Sequence, residues 1–365
     1  MFVITAALLA TLEVVSTPPS WLPALREAQG RPELSRGPAS AGSGRLDAGF
    51  RLKAEATQQV LKPVPRASPA ALDQNQGNQP ARRNRQPDTE QTVPVSKGAR
   101  LSVNDFAGDV RVRGWDKDAV RVQAYHNTRT RITVRHSTAG VSVTSSGTPS
   151  PVDYDISVPA WMPVKVEGTY IYIAVEGTQA DVSAETVRGD IVIKGGAAVV
   201  TAKSVEGEVI LENVRGKVSA SSINQGVTVN GAAGELTAET VNGHIALNNI
   251  DSTSVEVASV NGNIRYDGSA PANGRYRFST HNGNISVGVP ENASAAFMVR
   301  TYNGNVRTDL QLQGGGEVRR GQRTTYTLGS GSAEFDLESF GGTIQLRRRG
   351  SEVPPKPRTK DKNED

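Results

Sequence analysis

The sequence has 365 residues with 41 Lys+Arg, 37 Asp+Glu, no Cys and 5% aromatic residues. The missing Cys excludes disulfides, thiolate catalysis and Cys-type zinc sites together. Residues 97–349 carry 26 basic and 25 acidic side chains, so the net +4 belongs mostly to the N-terminal segment, and a nucleic-acid-binding fold with a basic face is disfavoured.

In chain order, Phe2 to Leu12 is an uncharged apolar run of signal-peptide length, too short to span a bilayer. It predicts a leader over 1–17, export to the periplasm, cell surface or medium, and a mature chain without a transmembrane span. Residues 18–96 hold most of the Pro together with Gln, Asn and Arg. Few large apolar side chains remain to repay chain ordering, which predicts a disordered linker. The tail 350–365, with Pro354, Pro355 and Pro357 among balanced charges, reads likewise.

Between them lies a repeat with a step of about 18 residues. Its segments begin at Thr186, Ser204, Ser222, Thr240, Ser259, Thr280, Thr301 and Ser339; the last step, 38, leaves room for one degenerate copy. Every segment starts with Ser or Thr and has Val or Ile at its sixth position, from Ile191 to Ile344. An earlier phase in each unit carries Ala184, Ala202, Ala220 and Ala238, 18 apart. Both phases alternate apolar with polar at period two, so each unit holds two short strands and two turns.

An antiparallel meander and a parallel solenoid both fit this pattern. A long meander would have to close as a barrel, and a membrane barrel wants more aromatic residues than 7 Phe, 3 Trp and 8 Tyr. Small inward Ala favour the flattened interior of an all-β parallel β-solenoid with coils of about 18 residues. Its predicted turns use Gly189, Gly207, Gly243, Gly262, Gly283, Gly304 and Gly342, which take positive φ at low cost. Asn224, Asn242, Asn261, Asn282 and Asn303 before them are predicted to stack their amides as a ladder. The domain spans 97–349. Residues 97–175 alternate without the register and are expected to cap the solenoid of 176–349 with short strands.

The segments FAGDVRVRGWDKDAVRV (Phe106 to Val122) and DYDISVPAWMPVKVEG (Asp153 to Gly168), followed by the repeats, carry a resemblance. Over roughly 101–349 the chain resembles the bacterial putative-adhesin domain of unknown function, a β-solenoid family similar to autotransporter-type adhesin head domains. The resemblance implies an exported, non-catalytic β-solenoid.

No phosphate loop, nucleophile elbow or metalloprotease motif is present in the sequence. His244 and His281, about two coils apart, are too distant for one metal, and the turns offer Asn where calcium would want acids. No metal or cofactor is expected. The expected role is a binding scaffold whose polar face, Asn263, Asn284, Asn305, Arg265 and Arg307, meets a glycan or an envelope protein. The alternative is a polysaccharide lyase or hydrolase using Asp190, Glu208 and Arg188.

Overall fold

The structure, a computed structural model, describes residues 86–316 and 319–351. The expected leader, most of the linker and nearly all of the tail lie outside these residues.

The described residues form a parallel β-solenoid. Strand Val199–Glu206 pairs in parallel with Val182–Arg188 on one side and with Val209–Ser222 on the other, and the 18-residue register is kept, Ala202 facing Ala184 and Ala220. The second strand phase runs the same way, Ile191 beside Val209, Val227, Ile245 and Ile264. Alternate residues point inward, so the Val, Ile, Leu and Ala of both phases bury completely while their neighbours face water.

The interior is not uniformly thin. Ala184, Ala202, Ala220 and Ala238 line the early coils as expected, but Tyr276, Phe278, Phe335, Phe297 and Tyr266 fill the later ones. Tyr276 stacks on Phe335 with centroids 4.2 Å apart. The phenols survive burial because each has an acceptor: Tyr266 donates to Ser269 O at 2.7 Å and Tyr276 to Ser252 O at 2.8 Å.

Both ends depart from sequence order. Among the described residues the long final step holds no degenerate coil. Strand Ala333–Ser339 lies between Arg275–Thr280 and Ala295–Thr301, parallel to both, and Ile344–Arg348 lies likewise between Ile285–Val289 and Val306–Thr308. The last coil in sequence is thus the penultimate one in space. The skipped residues return as Arg323–Leu328, antiparallel to Ala295–Thr301, and cover its open edge.

At the other end, residues 97–175 do more than cap. Arg100–Trp115 and Val164–Thr178 pair in parallel from Leu101/Val164 to Arg113/Glu176, and Val164–Thr178 continues the columns into Val182 and Ile191. The insertion between them hides this continuity from an 18-residue search. Gly140–Gly147 and Asp153–Pro159 form a further coil outside Arg100–Trp115, and antiparallel Thr130–Ser137 and Ala119–Tyr125 cover it. The linker expected to reach residue 96 ends sooner. Thr89–Pro94 pairs antiparallel with Ala119–Tyr125, and burial of Val93 and Val95 provides the apolar contact that orders it.

Candidate functional site

The turn edge, where the repeat signature falls, is built by four adjacent columns. The invariant Ser/Thr is buried, and its hydroxyl donates to a turn carbonyl of the neighbouring coil. Ser204 reaches Gly189 O at 3.0 Å, Ser222 reaches Gly207 O at 2.9 Å, Thr280 reaches Gly262 O at 3.0 Å and Ser339 reaches Gly283 O at 2.9 Å. These bonds satisfy carbonyls that no strand ladder reaches.

The glycines answer to close approach more than to φ. Gly189 has a φ of 136°, but Gly207, Gly243, Gly262, Gly283, Gly304 and Gly342 are not left-handed. A Cβ on Gly262 would strike the carbonyl of Gly243, and one on Gly342 the carbonyl of Gly283. Backbone stacking therefore excludes side chains at these glycine positions, while Gln225 takes the place of a glycine in its own coil.

The amide ladder forms and then breaks. Asn242 donates to Asn224 Oδ1 at 3.2 Å, Asn261 to Asn242 at 3.0 Å and Asn282 to Asn261 at 2.9 Å. Asn303 does not continue the ladder as expected, because the inserted last coil puts Gly341 between it and Asn282. Between the ladder and the Ser/Thr column runs a fourth column, which no single recurring residue type marks in the sequence. It comprises Phe106, Thr169, Val187, Val205, Ile223, Val241, Val260, His281, Phe340 and Tyr302. Phe106, Val187, Ile223, Val241 and Phe340 are between 38% and 48% exposed, and His281 stacks on Phe340 at 4.6 Å.

The residues expected to bind are brought to one side of the molecule but not into one cluster. Asn263 and Asn284 are neighbours: Asn284 N–H donates to Asn263 Oδ1 at 2.9 Å, and Asn284 Oδ1 accepts from Thr343 N–H at 2.8 Å. Asn305 lies beyond Thr343. Arg265 and Arg307 share a column with Ser286 and Gln345 between them, and Arg265 binds Asp267 at 3.0 Å.

The acids of the enzyme reading are spent in backbone and ladder bonds. Asp190 Oδ1 accepts from Glu208 N–H at 2.8 Å, Glu208 Oε1 accepts from Thr228 at 3.1 Å, and Arg188 pairs with Glu206 at 2.6 Å. His244 and His281 are exposed, and His244 Nδ1 accepts from Asn263 N–H at 3.0 Å.

Two buried polar groups gave no sequence signal. Arg347, fully buried, is followed by Arg348 and Arg349 and so looks like part of a basic tail. It reaches past Gly288 to pair with Asp267, and donates to Ser286 Oγ at 2.9 Å and Ser351 O at 3.0 Å. Burial opposes ionisation of Asp267, but the hydrogen bonds from Arg347 and Gly350 N–H, the Arg347 charge and the Arg265 contact outweigh it and hold the carboxyl below its usual range. Asp105 goes the other way: burial raises it despite hydrogen bonds from Ser145 and two backbone N–H groups. Its Oδ2 is buried without a hydrogen-bond partner among the described residues.

Residues 99–347 match the model of the Toastrack DUF4097 family. The chain belongs to that family. No curated protein matches the Toastrack chain. Among solved structures it is similar to a "putative cell adhesion protein" from Clostridium sporogenes, with 11% identity, 72% of this chain and 99% of the other covered, and a TM-score of 0.22. It is also similar to a "putative adhesin" from Parabacteroides distasonis, with 10% identity, 71% and 96% covered and a TM-score of 0.39. A third, a "putative adhesin" from Parabacteroides merdae, has 10% identity, 71% and 95% coverage and a TM-score of 0.32.

Proposed function

We propose that this chain is an exported, non-catalytic scaffold whose solenoid surface binds a glycan or an envelope protein. One observation carries the preference for binding over catalysis: Asp190, Glu208 and Arg188, the residues a lyase or hydrolase would need, already close backbone, hydroxyl and ion-pair contacts between coils. A general acid or base must be free to exchange its proton with substrate. The solenoid instead offers a repeating polar surface, including Asn263, Asn284, Asn305, Arg265 and Arg307, whose amide and guanidinium groups suit hydroxyl-rich ligands. In this reading residues 1–17 direct export and the segment before Thr89 tethers the domain.

The full chain applied to a glycan array and to envelope extracts tests the proposal; no ligand above background in either removes it. Reducing-end release from a polysaccharide panel, abolished by Asp190→Asn with Glu208→Gln, would instead establish the enzyme. Recovery of intact Met1 from the cytosol of the native organism would refute export.

A further inference from the structure

We infer that the turn edge itself is the binding surface and that its ligand is a linear, uncharged polysaccharide laid along the solenoid axis. The inference rests on the binding reading above and names its surface and ligand class.

The apolar side chains on this edge are concentrated, not scattered. Of the large hydrophobic residues that are exposed among the described residues, all but Val199 lie in the apolar column or beside it: Phe106, Tyr170, Val187, Ile223, Val241 and Phe340. Single exposed apolar residues need no explanation, but several aligned in one column along the solenoid do.

The adjoining amides are only half used. In the ladder Asn242 and Asn261 each spend one N–H and one oxygen lone pair. A carboxamide has two N–H donors and two lone pairs, so each keeps one of both for a ligand. Three successive coils, with Ile223 beside Asn224, Val241 beside Asn242 and Val260 beside Asn261, thus repeat an apolar contact beside a carboxamide, each about 4.8 Å from the next. A pyranose offers the matching pair, a C–H face and ring hydroxyls.

Charge and area narrow the occupant. The ladder and apolar columns carry no Asp, Glu, Lys or Arg from Ile223 to Tyr302, and the charged ladder members before them, Arg188 and Glu206, neutralise each other at 2.6 Å. An acidic polymer finds no unpaired cation there. The column is one residue wide, on the order of 300 Å² at the strand spacing, whereas a stable protein pair buries about 800 Å² per partner. A second copy therefore gains too little from this edge, while a polymer adds a weak contact at each coil and accumulates them along the chain.

Gel electrophoresis of the full chain through mixed-linkage β-glucan, galactomannan or hydroxyethylcellulose, with polygalacturonate as the acidic counterpart, tests the inference. At least one neutral polymer should retard the protein. Ile223→Ser with Val241→Ser and Phe340→Ser should weaken that retardation more than tenfold, whereas Val199→Ser, at an exposed apolar residue away from this edge, should leave it unchanged. Should the Ser variant lose its fold, Ile223→Thr with Val241→Thr keeps the branched shape and carries the same comparison. Retardation by polygalacturonate alone, insensitivity to the edge substitutions, or a dimer that they split into monomers overturns the inference. Loss of retardation in Arg265→Ser with Arg307→Ser but not in the edge variant overturns it as well but leaves the binding function standing. Absence of retardation in every gel overturns it, and the wider proposal falls only if the array and envelope extracts are also negative.

Discussion

Ser222 and Gly207 belong to consecutive coils, and the serine hydroxyl donates to the glycine carbonyl across 2.9 Å while accepting Gln225 N–H of its own turn at 3.2 Å. One buried oxygen thereby ties a turn to itself and to its neighbour. Removing it strands both backbone groups, so Ser222→Ala should cost about 1–3 kcal/mol. Ser222→Thr should be tolerated, since Thr240 makes the same contact to Gln225 O at 2.9 Å. Denaturant unfolding of the two variants measures the contrast, and equal stabilities would deny the hydroxyl its role.

Ile245 is buried between Val227 and Ile264, whereas His244 beside it is exposed. Ile245→Asp buries an unpaired charge and should destabilise by about 3–5 kcal/mol. His244→Asp retains an acceptor for Asn263 N–H and should change stability by less than about 0.5 kcal/mol.

Cysteine pairs read the coil order directly. Asn242→Cys with Asn261→Cys bridges neighbouring coils, about 4.8 Å apart, and should oxidise readily. His281→Cys with Phe340→Cys should do so too, although 59 positions separate them (340 − 281). His281→Cys with Tyr302→Cys spans two steps, about 9.6 Å, and should stay reduced. The opposite ranking of the last two pairs would restore sequence order and remove the inserted coil.

Asp267 links stability to acid. Its carboxyl titrates below the ordinary 3.8, so its contribution is fully present above that pH and is lost as the pH falls through the depressed folded-state value. Asp267→Asn should be less stable than the parent at neutral pH, with the gap closing below about pH 4 as the parent carboxyl is protonated. A gap independent of pH would show that Arg347 is held by other contacts. Arg347→Ala leaves Asp267 buried without its strongest partner and should cost several kcal/mol at neutral pH.

The period of 18, the two strand phases and the parallel stacking were legible because they are set by local alternation that recurs. Ser222, Gly243 and Asn261 advertise themselves by repeating, and the structure assigns each a bond or a contact between coils. Non-periodic features were not legible. Leu101 and Val164 pair across a 63-residue step (164 − 101), because an inserted coil separates two that touch. Gly341 interrupts the amides because of a chain crossing that no local pattern encodes. Arg347 resembled its solvated neighbours, and only the small Gly288 beneath its head group, itself unremarkable in sequence, makes room for it. The apolar turn column was overlooked for a different reason: its residues mix Val, Ile, His, Phe and Tyr, so they share exposure and place but not identity.

The inserted last coil also constrains the order in which the chain can finish. Ala295–Thr301 leaves the ribosome before Ala333–Ser339, yet it has no solenoid strand to pair with until those later residues arrive. Its only earlier partner among the described residues, Arg323–Leu328, is an antiparallel hairpin mate that can form with it apart from the stack. While synthesis pauses between residues 301 and 333, Arg275–Thr280 therefore presents a bare parallel edge. A nascent chain halted in that window should be sensitive to protease and prone to pair with other chains, and extension past Arg348 should seal it. In this protein the winding of the coil cannot simply follow translation; its last turn is threaded into a gap that the preceding turn has left open.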